Sequence, residues 1–300
     1  MNGRLATVFG GTGFLGGRIV RDLVQDGWAV RVASRHPRAP EGVPPSAEIE
    51  LHKVDLQADM PVAYAVRDAS AVVNAVSLYR EQGDATFRAI HEEGAERVAR
   101  RSRELGIERL VHVSGIGSDP DSSSAYVAAR GRGEERVRQA YPDATLVRPS
   151  VMFGPRDAFL QGLDRVTRLP VVPMFGDGGA RLQPVYVEDV ASAVNRILDD
   201  PATARRIFEL GGGAVYTYRE ALQAVMQHRG RRRPLMPVPF FLWYRLARLT
   251  ARMAHPPLTQ DQITLLEADN IVGPDAATFA DLGIQPASLE ERLGDCLPPA

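Results

Sequence analysis

Residues 5–16, LATVFGGTGFLG, constrain the fold of this chain more than any other segment. An apolar strand pattern runs into Gly10, Gly13 and Gly16, and a helical pattern follows at once. A strand, a glycine turn and a helix start in this order predict a site for a dinucleotide diphosphate. The first glycine allows the tight turn, the second lets the phosphates approach the backbone, and the third lets the helix pack closely on the strand.

The helix that follows the glycine turn adds free N–H groups and a partial positive charge at its N-terminus, both of which favour phosphate. The alternative interpretation is a purely structural turn, because glycine is common in turns. The cofactor contacts predicted in this segment are Gly10, Thr12, Gly13, Phe14, Leu15 and Gly16.

Short apolar runs alternate with helical patterns through the first half of the chain. The predicted strands are 5–9, 29–33, 49–54, 71–76, 109–113 and 144–148. The predicted helices are 14–26, 60–67, 84–105 and 124–140. Such alternation is typical of parallel βαβ units, so we predict an α/β fold with a Rossmann-type, doubly wound parallel sheet.

The alternation breaks down after about residue 150, and the rest of the chain reads as a smaller mixed C-terminal lobe. We predict an NAD(P)-binding domain at 1–150 and a substrate or partner lobe at 151–300, with part of 185–210 returning to the sheet. Predicted elements here are a helix at 157–168, a loop at 170–184, a strand at 185–187, a helix at 188–198 and a strand at 206–210. Capping-box patterns at 217–220, 259–262 and 288–291 predict three further helix starts.

Composition excludes several classes of function. The formal net charge of −1 gives no overall field toward nucleic acid, and a single cysteine, Cys296, rules out a disulfide framework. The six histidines lack metal-ligand spacing, so we expect no metal. No apolar run reaches the roughly 18 residues that span a bilayer. Because the first strand pattern begins at Leu5, we expect no signal peptide and a cytoplasmic protein.

The end of the second predicted strand bears on the choice of cofactor. An NAD site usually has an acidic residue there for the ribose 2′-hydroxyl, whereas this chain has Ser34 and Arg35. A hydroxyl and a guanidinium suit a 2′-phosphate, so NADP(H) is favoured over NAD(H). The alternative is that Arg35 is a solvated loop arginine. Asp55 is predicted to meet the adenine edge or, alternatively, only to cap the next turn. The remaining predicted cofactor contacts are Leu56, Ala75, Val76 and Pro149.

Several segments together resemble the extended and atypical branches of the short-chain dehydrogenase/reductase superfamily. They are the glycine turn, VHVSGIG at 111–117, SAYVAARGRGE at 124–134, VRPSVMFGP at 147–155 and QPVYVEDVA at 183–191. In active members a Tyr-xxx-Lys pair on one helix face and a serine carry the chemistry. The resemblance places Ser114 and Tyr126 at the serine and tyrosine positions, with Tyr126 also contacting the cofactor.

Arg130 stands where the family has its lysine, in a chain whose only lysine is Lys53. An arginine stays charged and is able to bind the nicotinamide ribose, but its pKa is too high for proton relay. We therefore expect cofactor binding to survive and turnover to be weak or absent. The alternative is that a compositional bias toward arginine replaced the lysine and some catalysis persists.

Within this superfamily, the chain resembles the family of the NADPH-binding accessory subunit of respiratory complex I and its free-standing bacterial relatives. The resemblance lies in SSSAY at 122–126, the run RPSVMFGPRD at 148–157 and the tail PLTQDQITLLEADN at 257–270. It implies a structural, assembly or redox-sensing role near respiratory or quinone machinery. The alternative function is an active oxidoreductase or epimerase acting on a small carbonyl, sugar-nucleotide or quinone-related substrate. A third, weaker interpretation is a regulatory binder without chemistry.

Residues 237–254 combine aromatic residues, leucines and arginines at helical spacing, with a run of arginines just before them. This pattern suits a helix lying in a membrane interface, and equally one that buries its apolar side on the C-terminal lobe. The resemblance to the complex I subunit family favours contact with a respiratory complex or the periphery of the inner membrane.

Overall fold

The computed structural model describes residues 4–250, 253 and 258–298, where the chain forms two compact units. The first unit contains the residues up to Pro149, Val187–Leu210 and Asp275–Ile284. The second contains Ser150–Tyr186, Gly211–Pro274 and the residues from Gln285 onward. Parts of the 237–254 stretch and of the 257–270 tail, residues 251–252 and 254–257, lie outside the described residues.

Strands and helices alternate along the first unit and become shorter and more mixed in the second. The strands are β1 (Leu5–Phe9), β2 (Ala29–Ser34), β3 (Ile49–Lys53), β4 (Ala71–Asn74), β5 (Arg109–Val113), β6 (Thr145–Pro149), β7 (Met152–Phe153), β8 (Val172–Phe175), β9 (Arg181–Leu182), β10 (Val185–Tyr186), β11 (Ile207–Leu210), β12 (Tyr216–Thr217) and β13 (Leu235–Val238). The α-helices are α1 (Gly16–Gln25), α2 (Asp59–Val66), α3 (Ala95–Glu104), α4 (Ala125–Ala140), α5 (Ala158–Val166), α6 (Val187–Asp199), α7 (Tyr218–His228), α8 (Phe240–Thr250), α9 (Gln260–Glu267) and α10 (Leu289–Cys296).

The first unit is built on a seven-stranded sheet in the order β11-β6-β5-β4-β1-β2-β3, and every pairing in it is parallel. Helix α1 packs on α6, while α3 packs with α2 and α4. Because buried parallel strands need helices on both faces, this grouping is the doubly wound arrangement. The predicted α/β, Rossmann-type fold is confirmed, and the carboxyl ends of β1, β4, β5 and β6 lie at the same edge of the sheet.

Two predicted elements differ from the structure. The predicted loop at 170–184 contains β8 and β9, because β8 pairs in parallel with β13, some sixty residues further along the chain. Local sequence gives no sign of that distant partner, and Pro173 and Pro237 argue against strands. The helix predicted at 84–105 begins at Arg88 as a π-helix, Arg88–Gly94, which leads directly into α3.

The second unit packs α5, α7 and α10 around a separate apolar core. Buried members of that core include Phe153, Leu160, Met174, Leu222 and Leu289. The three predicted capping boxes are confirmed: the side chains of Thr217, Thr259 and Ser288 each accept a hydrogen bond from the third residue of α7, α9 and α10. These caps fix the starts of helices that local hydrophobic periodicity leaves imprecise.

Helix α8, predicted from the 237–254 stretch, divides into a packed side and an exposed side. Ala247 is buried, and the ring of Trp243 lies 4.4 Å from that of Phe175. On the other side, Phe241 is 60% and Leu249 is 81% exposed. In the described residues, no helix has the length and apolar character needed to cross a bilayer.

Candidate cofactor site

The glycine turn between β1 and α1 has the geometry that the sequence predicts. Gly10 has a φ of 77°, in the left-handed region that glycine adopts without strain. A Cβ on Gly16 would overlap the carbonyl oxygen of Gly10, and one on Gly13 would lie 3.1 Å from that same oxygen. The turn and the first residues of α1 therefore approach each other as closely as backbone permits.

This turn leaves amide donors pointing away from the chain's own acceptors. The N–H groups of Gly13 and Gly17 donate to the carbonyls of Gly10 and Gly13. The N–H groups of Phe14, Leu15 and Gly16 find no acceptor in the described part of the chain, as expected for the first turn of a helix. Such a cradle fits a diphosphate.

The end of β4 lies beside the glycine turn. A Cβ on Gly10 would lie 2.9 Å from the carbonyl oxygen of Ala75, just after β4. The N–H of Ala75 donates to the carbonyl of Phe9 at 3.0 Å, and the N–H of Val76 donates to Asn74 Oδ1 at 3.3 Å. The structure thus brings the predicted contacts Ala75 and Val76 next to the turn.

The end of β2 offers polar groups without partners. The Oγ of Ser34 is buried and has no hydrogen-bond partner among the described residues. Arg35 is exposed, and no carboxylate in the described residues lies within ion-pair distance of its guanidinium. An unpaired hydroxyl and guanidinium on neighbouring residues are donors that fit a phosphate group.

The other predicted cofactor contacts have structural roles of their own. Asp55 Oδ1 accepts a hydrogen bond from the N–H of Gln57 at 2.9 Å, which is the turn-capping alternative. Leu56 is buried and packs against Gly94. Pro149 ends β6, and its carbonyl accepts a hydrogen bond from the N–H of Ile116 at 3.0 Å.

Helix α4 carries Tyr126 and Arg130 one turn apart, so that their side chains meet. Arg130 Nη1 donates to the hydroxyl of Tyr126 at 3.1 Å, and Tyr126 is buried. Ser114 follows β5, and its Oγ lies 3.0 Å from that of Ser118, which donates to the carbonyl of Gly115. The structure brings Tyr126 and Arg130 into contact, whereas Ser114 bonds within its own loop.

An aromatic cluster around Tyr126 is absent from the sequence predictions. The rings of Tyr79, Phe87 and His91 lie with their centroids 5.7, 5.5 and 5.6 Å from that of Tyr126. Phe87 and His91 are four residues apart, so the predicted helix at 84–105 already placed them on one face. Tyr79 lies in an irregular segment, and no pattern marks it. The cluster packs aromatic rings around that of Tyr126, while the Tyr126 hydroxyl is hydrogen-bonded to Arg130.

Two histidines near this cluster are held neutral. Burial lowers the pKa of His91 to about 4, against its hydrogen bond with the Leu78 backbone, and the charge of Arg130 adds to the lowering. Burial, with the charges of His91 and Arg130, lowers the pKa of His112 to about 3. Near neutral pH, Arg130 is therefore the cation of this cluster.

Replacing His91 with glutamine is expected to make stability less sensitive to acid. The pKa of an unfolded histidine is 6.5 and that of His91 is about 4, so the unfolded state binds more protons between these values. As the pH falls through this window, the free energy of unfolding that His91 contributes above pH 6.5 is lost, and the loss at pH 5 is about 2 kcal/mol. Urea unfolding of wild type and His91→Gln at pH 7 and pH 5 measures the difference. An equal loss in both proteins would contradict the assignment.

Comparison with known proteins agrees with the fold and the cofactor turn. The model of the NAD dependent epimerase/dehydratase family matches residues 6–211. The chain is 32% identical over 294 residues to the mitochondrial NADH-ubiquinone oxidoreductase 40 kDa subunit of Neurospora crassa, covering 96% of this chain and 77% of that protein. It is also 32% identical over 192 residues to a ceramide reductase of Caulobacter vibrioides, covering 63% of this chain and 59% of that protein.

A solved structure, the UDP-glucose 4-epimerase of Thermus thermophilus in complex with NAD, shares the fold with a TM-score of 0.62. It is 23% identical and covers 87% of this chain and 97% of that one. The resemblance of this sequence to the short-chain dehydrogenase/reductase superfamily and to the complex I accessory subunits is confirmed. With its parallel sheet, its glycine turn and a match over more than half of its length, the chain belongs to the NAD dependent epimerase/dehydratase family.

Proposed function

We propose that this protein binds NADP(H), turns it over slowly or not at all, and has a structural, assembly or redox-sensing role at respiratory or quinone machinery. The observation that carries the proposal is the close-packed glycine turn of a dinucleotide site in a chain whose Tyr126 is paired with an arginine instead of a lysine. The similarity to a mitochondrial NADH-ubiquinone oxidoreductase subunit supports the respiratory setting.

Different residues would bind different parts of the cofactor. The amide groups at the start of α1 would hold the diphosphate, and Ser34 and Arg35 would bind the 2′-phosphate. Tyr126 and Arg130 would contact the nicotinamide ribose. When bound, the nicotinamide ring supplies a hydride donor or acceptor.

The low turnover follows from the chemistry of Arg130. Its guanidinium donates to the hydroxyl oxygen of Tyr126, and a guanidinium, unlike the ammonium group of lysine, is not suited to relay a proton. The neutral His91 and His112 are buried and do not replace a lysine as a proton relay.

Replacing Arg130 with lysine tests this low turnover. With carbonyl or quinone acceptors, the wild type is expected to oxidise NADPH at a rate well below roughly 1 s⁻¹, the lower end of typical kcat values. Arg130→Lys is expected to raise the rate about tenfold or more, and Tyr126→Phe to remove that gain. The loss of NADPH absorbance at 340 nm measures the rate of each protein. Ordinary turnover by the wild type, abolished in Tyr126→Phe, would favour the alternative of an active oxidoreductase.

We further propose that the exposed side of α8 attaches the protein to an anionic membrane surface. Phe241, Leu242, Leu246, Leu249 and Met253 are exposed apolar residues at helical spacing. Arg245 and Arg248 are exposed on the same helix, and residues 229–260 contain no aspartate or glutamate. Exposed apolar side chains with arginines beside them suit the headgroup region of anionic lipids.

Vesicle flotation tests this attachment. Wild type is expected to float with vesicles that contain anionic lipid and to remain at the bottom of the gradient when the vesicles are neutral. The double variant Phe241→Ser/Leu249→Ser is expected to lose about tenfold or more of the bound fraction, because it removes two exposed apolar side chains. Leu105→Ser, at an exposed leucine of the first unit, is the matched control and is expected to float like wild type. Equal flotation of the double variant and wild type would contradict the proposal.

A further inference from the structure

We propose that Gly115 is a positioning residue that makes room for the guanidinium of Arg130 beside Tyr126. Arginine at position 130 is then a fitted part of the site and not a replacement left by compositional bias. The nucleotide readout of this inference rests on the proposed binding of NADP(H).

The space beside Gly115 is filled by one group. For a Cβ built on Gly115, the three nearest atoms all belong to the Arg130 guanidinium: it would overlap Nη2 and lie 2.7 Å from Cζ and 2.8 Å from Nη1. Gly115 is not among the residues with a positive φ, so its backbone conformation suits any residue. The obstacle to a side chain at position 115 is therefore Arg130 itself.

The backbone around Gly115 is held in place from several directions. The N–H of Ser114 donates to Val147 at 2.7 Å, and that of Ile116 donates to Pro149 at 3.0 Å, which ties both neighbours to β6. The carbonyl of Gly115 accepts a hydrogen bond from Ser118 Oγ at 2.8 Å. A small shift of the loop therefore does not relieve the overlap between a side chain added at position 115 and Arg130, because three hydrogen bonds oppose the shift.

Helix α4 is equally close to this loop from its own side. A Cβ on Gly131 would overlap the backbone nitrogen of Pro120, and Arg132 Nη1 donates to the carbonyl of Pro120 at 3.2 Å. The helix that carries Arg130 therefore packs directly on the loop that carries Gly115, with glycine on each side of the contact.

Tyr126 is a second contact of the same guanidinium. Arg130 Nη1 donates to its hydroxyl at 3.1 Å, and Arg130 Cζ lies 5.2 Å from the centre of its ring. A methyl group at position 115 would occupy the volume of the guanidinium, so Arg130 has to leave this slot and its hydrogen bond with Tyr126 is lost. A lysine has no planar head group of this width, so a lysine at position 130 does not need the slot.

A double-mutant cycle with Gly115→Ala and Arg130→Lys tests this positioning. NADPH affinity is measured by fluorescence titration, and the melting temperature of each protein is measured without nucleotide. Gly115→Ala is expected to raise the Kd for NADPH about tenfold when residue 130 is arginine, and less than about twofold when it is lysine. It is expected to lower the melting temperature by about 2 °C or more with arginine only. Gly162→Ala, at a helical glycine with open space around it, is the control: it is expected to leave the Kd unchanged and, because alanine favours a helix more than glycine does, not to lower the melting temperature.

The Kd cycle decides the question if wild type binds NADPH. Equal effects of Gly115→Ala in both backgrounds, or no effect beside Arg130, would overturn the inference. If wild type binds no NADPH, the proposed function fails. The melting temperatures then test the inference in the same way: equal effects of Gly115→Ala in both backgrounds, or no effect beside Arg130, would overturn it.

Discussion

Replacing Gly16 with alanine is expected to lower the affinity for nicotinamide dinucleotides by about 100-fold or more, equivalent to about 3 kcal/mol. The added Cβ would overlap the carbonyl oxygen of Gly10, so the turn must open and α1 must move away from β1. The N–H groups at the start of α1 would then no longer be placed to donate hydrogen bonds to the diphosphate. Calorimetric titration with NADPH measures the loss.

Gly17→Ala is the matched control for this substitution. It lies one residue further along the same helix, where the nearest atom to an added Cβ is 3.6 Å away, an ordinary contact. Its affinity is expected to stay within about twofold of wild type. If Gly16→Ala fails to fold, Gly13→Ala carries the test, because its Cβ would occupy the approach of the phosphates. Unchanged affinity in a folded Gly16→Ala or Gly13→Ala protein would contradict the assigned phosphate site.

Replacing Arg35 with serine is expected to weaken NADPH binding about 10- to 100-fold and to leave NADH binding within about twofold of wild type. The guanidinium has no carboxylate partner in the described part of the chain, and we propose that its charge selects a 2′-phosphate. NADH lacks that phosphate and loses nothing when Arg35 is removed. Titrations with both nucleotides measure the selectivity.

Arg38→Ser provides the comparison for Arg35→Ser. Arg38 is also exposed and follows Arg35 by three residues in the loop after β2. If a general positive potential attracts the nucleotide, both variants lose affinity equally and Arg35 has no special role. A parallel loss of NADH and NADPH binding in Arg35→Ser would likewise reject the 2′-phosphate assignment.

The sequence predicted the parts of this protein that local patterns encode. The glycine spacing at residues 10–16 requires a close backbone approach, and the structure has it. Most strands of the sheet are short runs of buried residues, and their alternation with helices led directly to the parallel topology. The resemblance to the superfamily singled out Tyr126 and Arg130, and helical spacing accounts for their contact, because residues four apart share a face.

The features that were missed depend on contacts between distant segments. Strand β8 exists because β13 lies beside it, and no residue of 170–184 specifies that partner. Tyr79 reaches Tyr126 from an irregular segment. The slot at Gly115 depends on the packing of α4 against the loop after β5, and a glycine in a serine-glycine loop looks like any other turn residue. Periodicity predicts elements, whereas such contacts depend on how those elements pack.

Calorimetric titration of the purified wild-type protein with NADPH and with NADH tests the central claim most directly. We expect one NADPH to bind per chain, with NADH binding about tenfold or more weakly, because Ser34 and Arg35 replace the acidic residue of an NAD site. Absence of heat with either nucleotide, in protein shown to be folded and free of bound cofactor, would contradict the account.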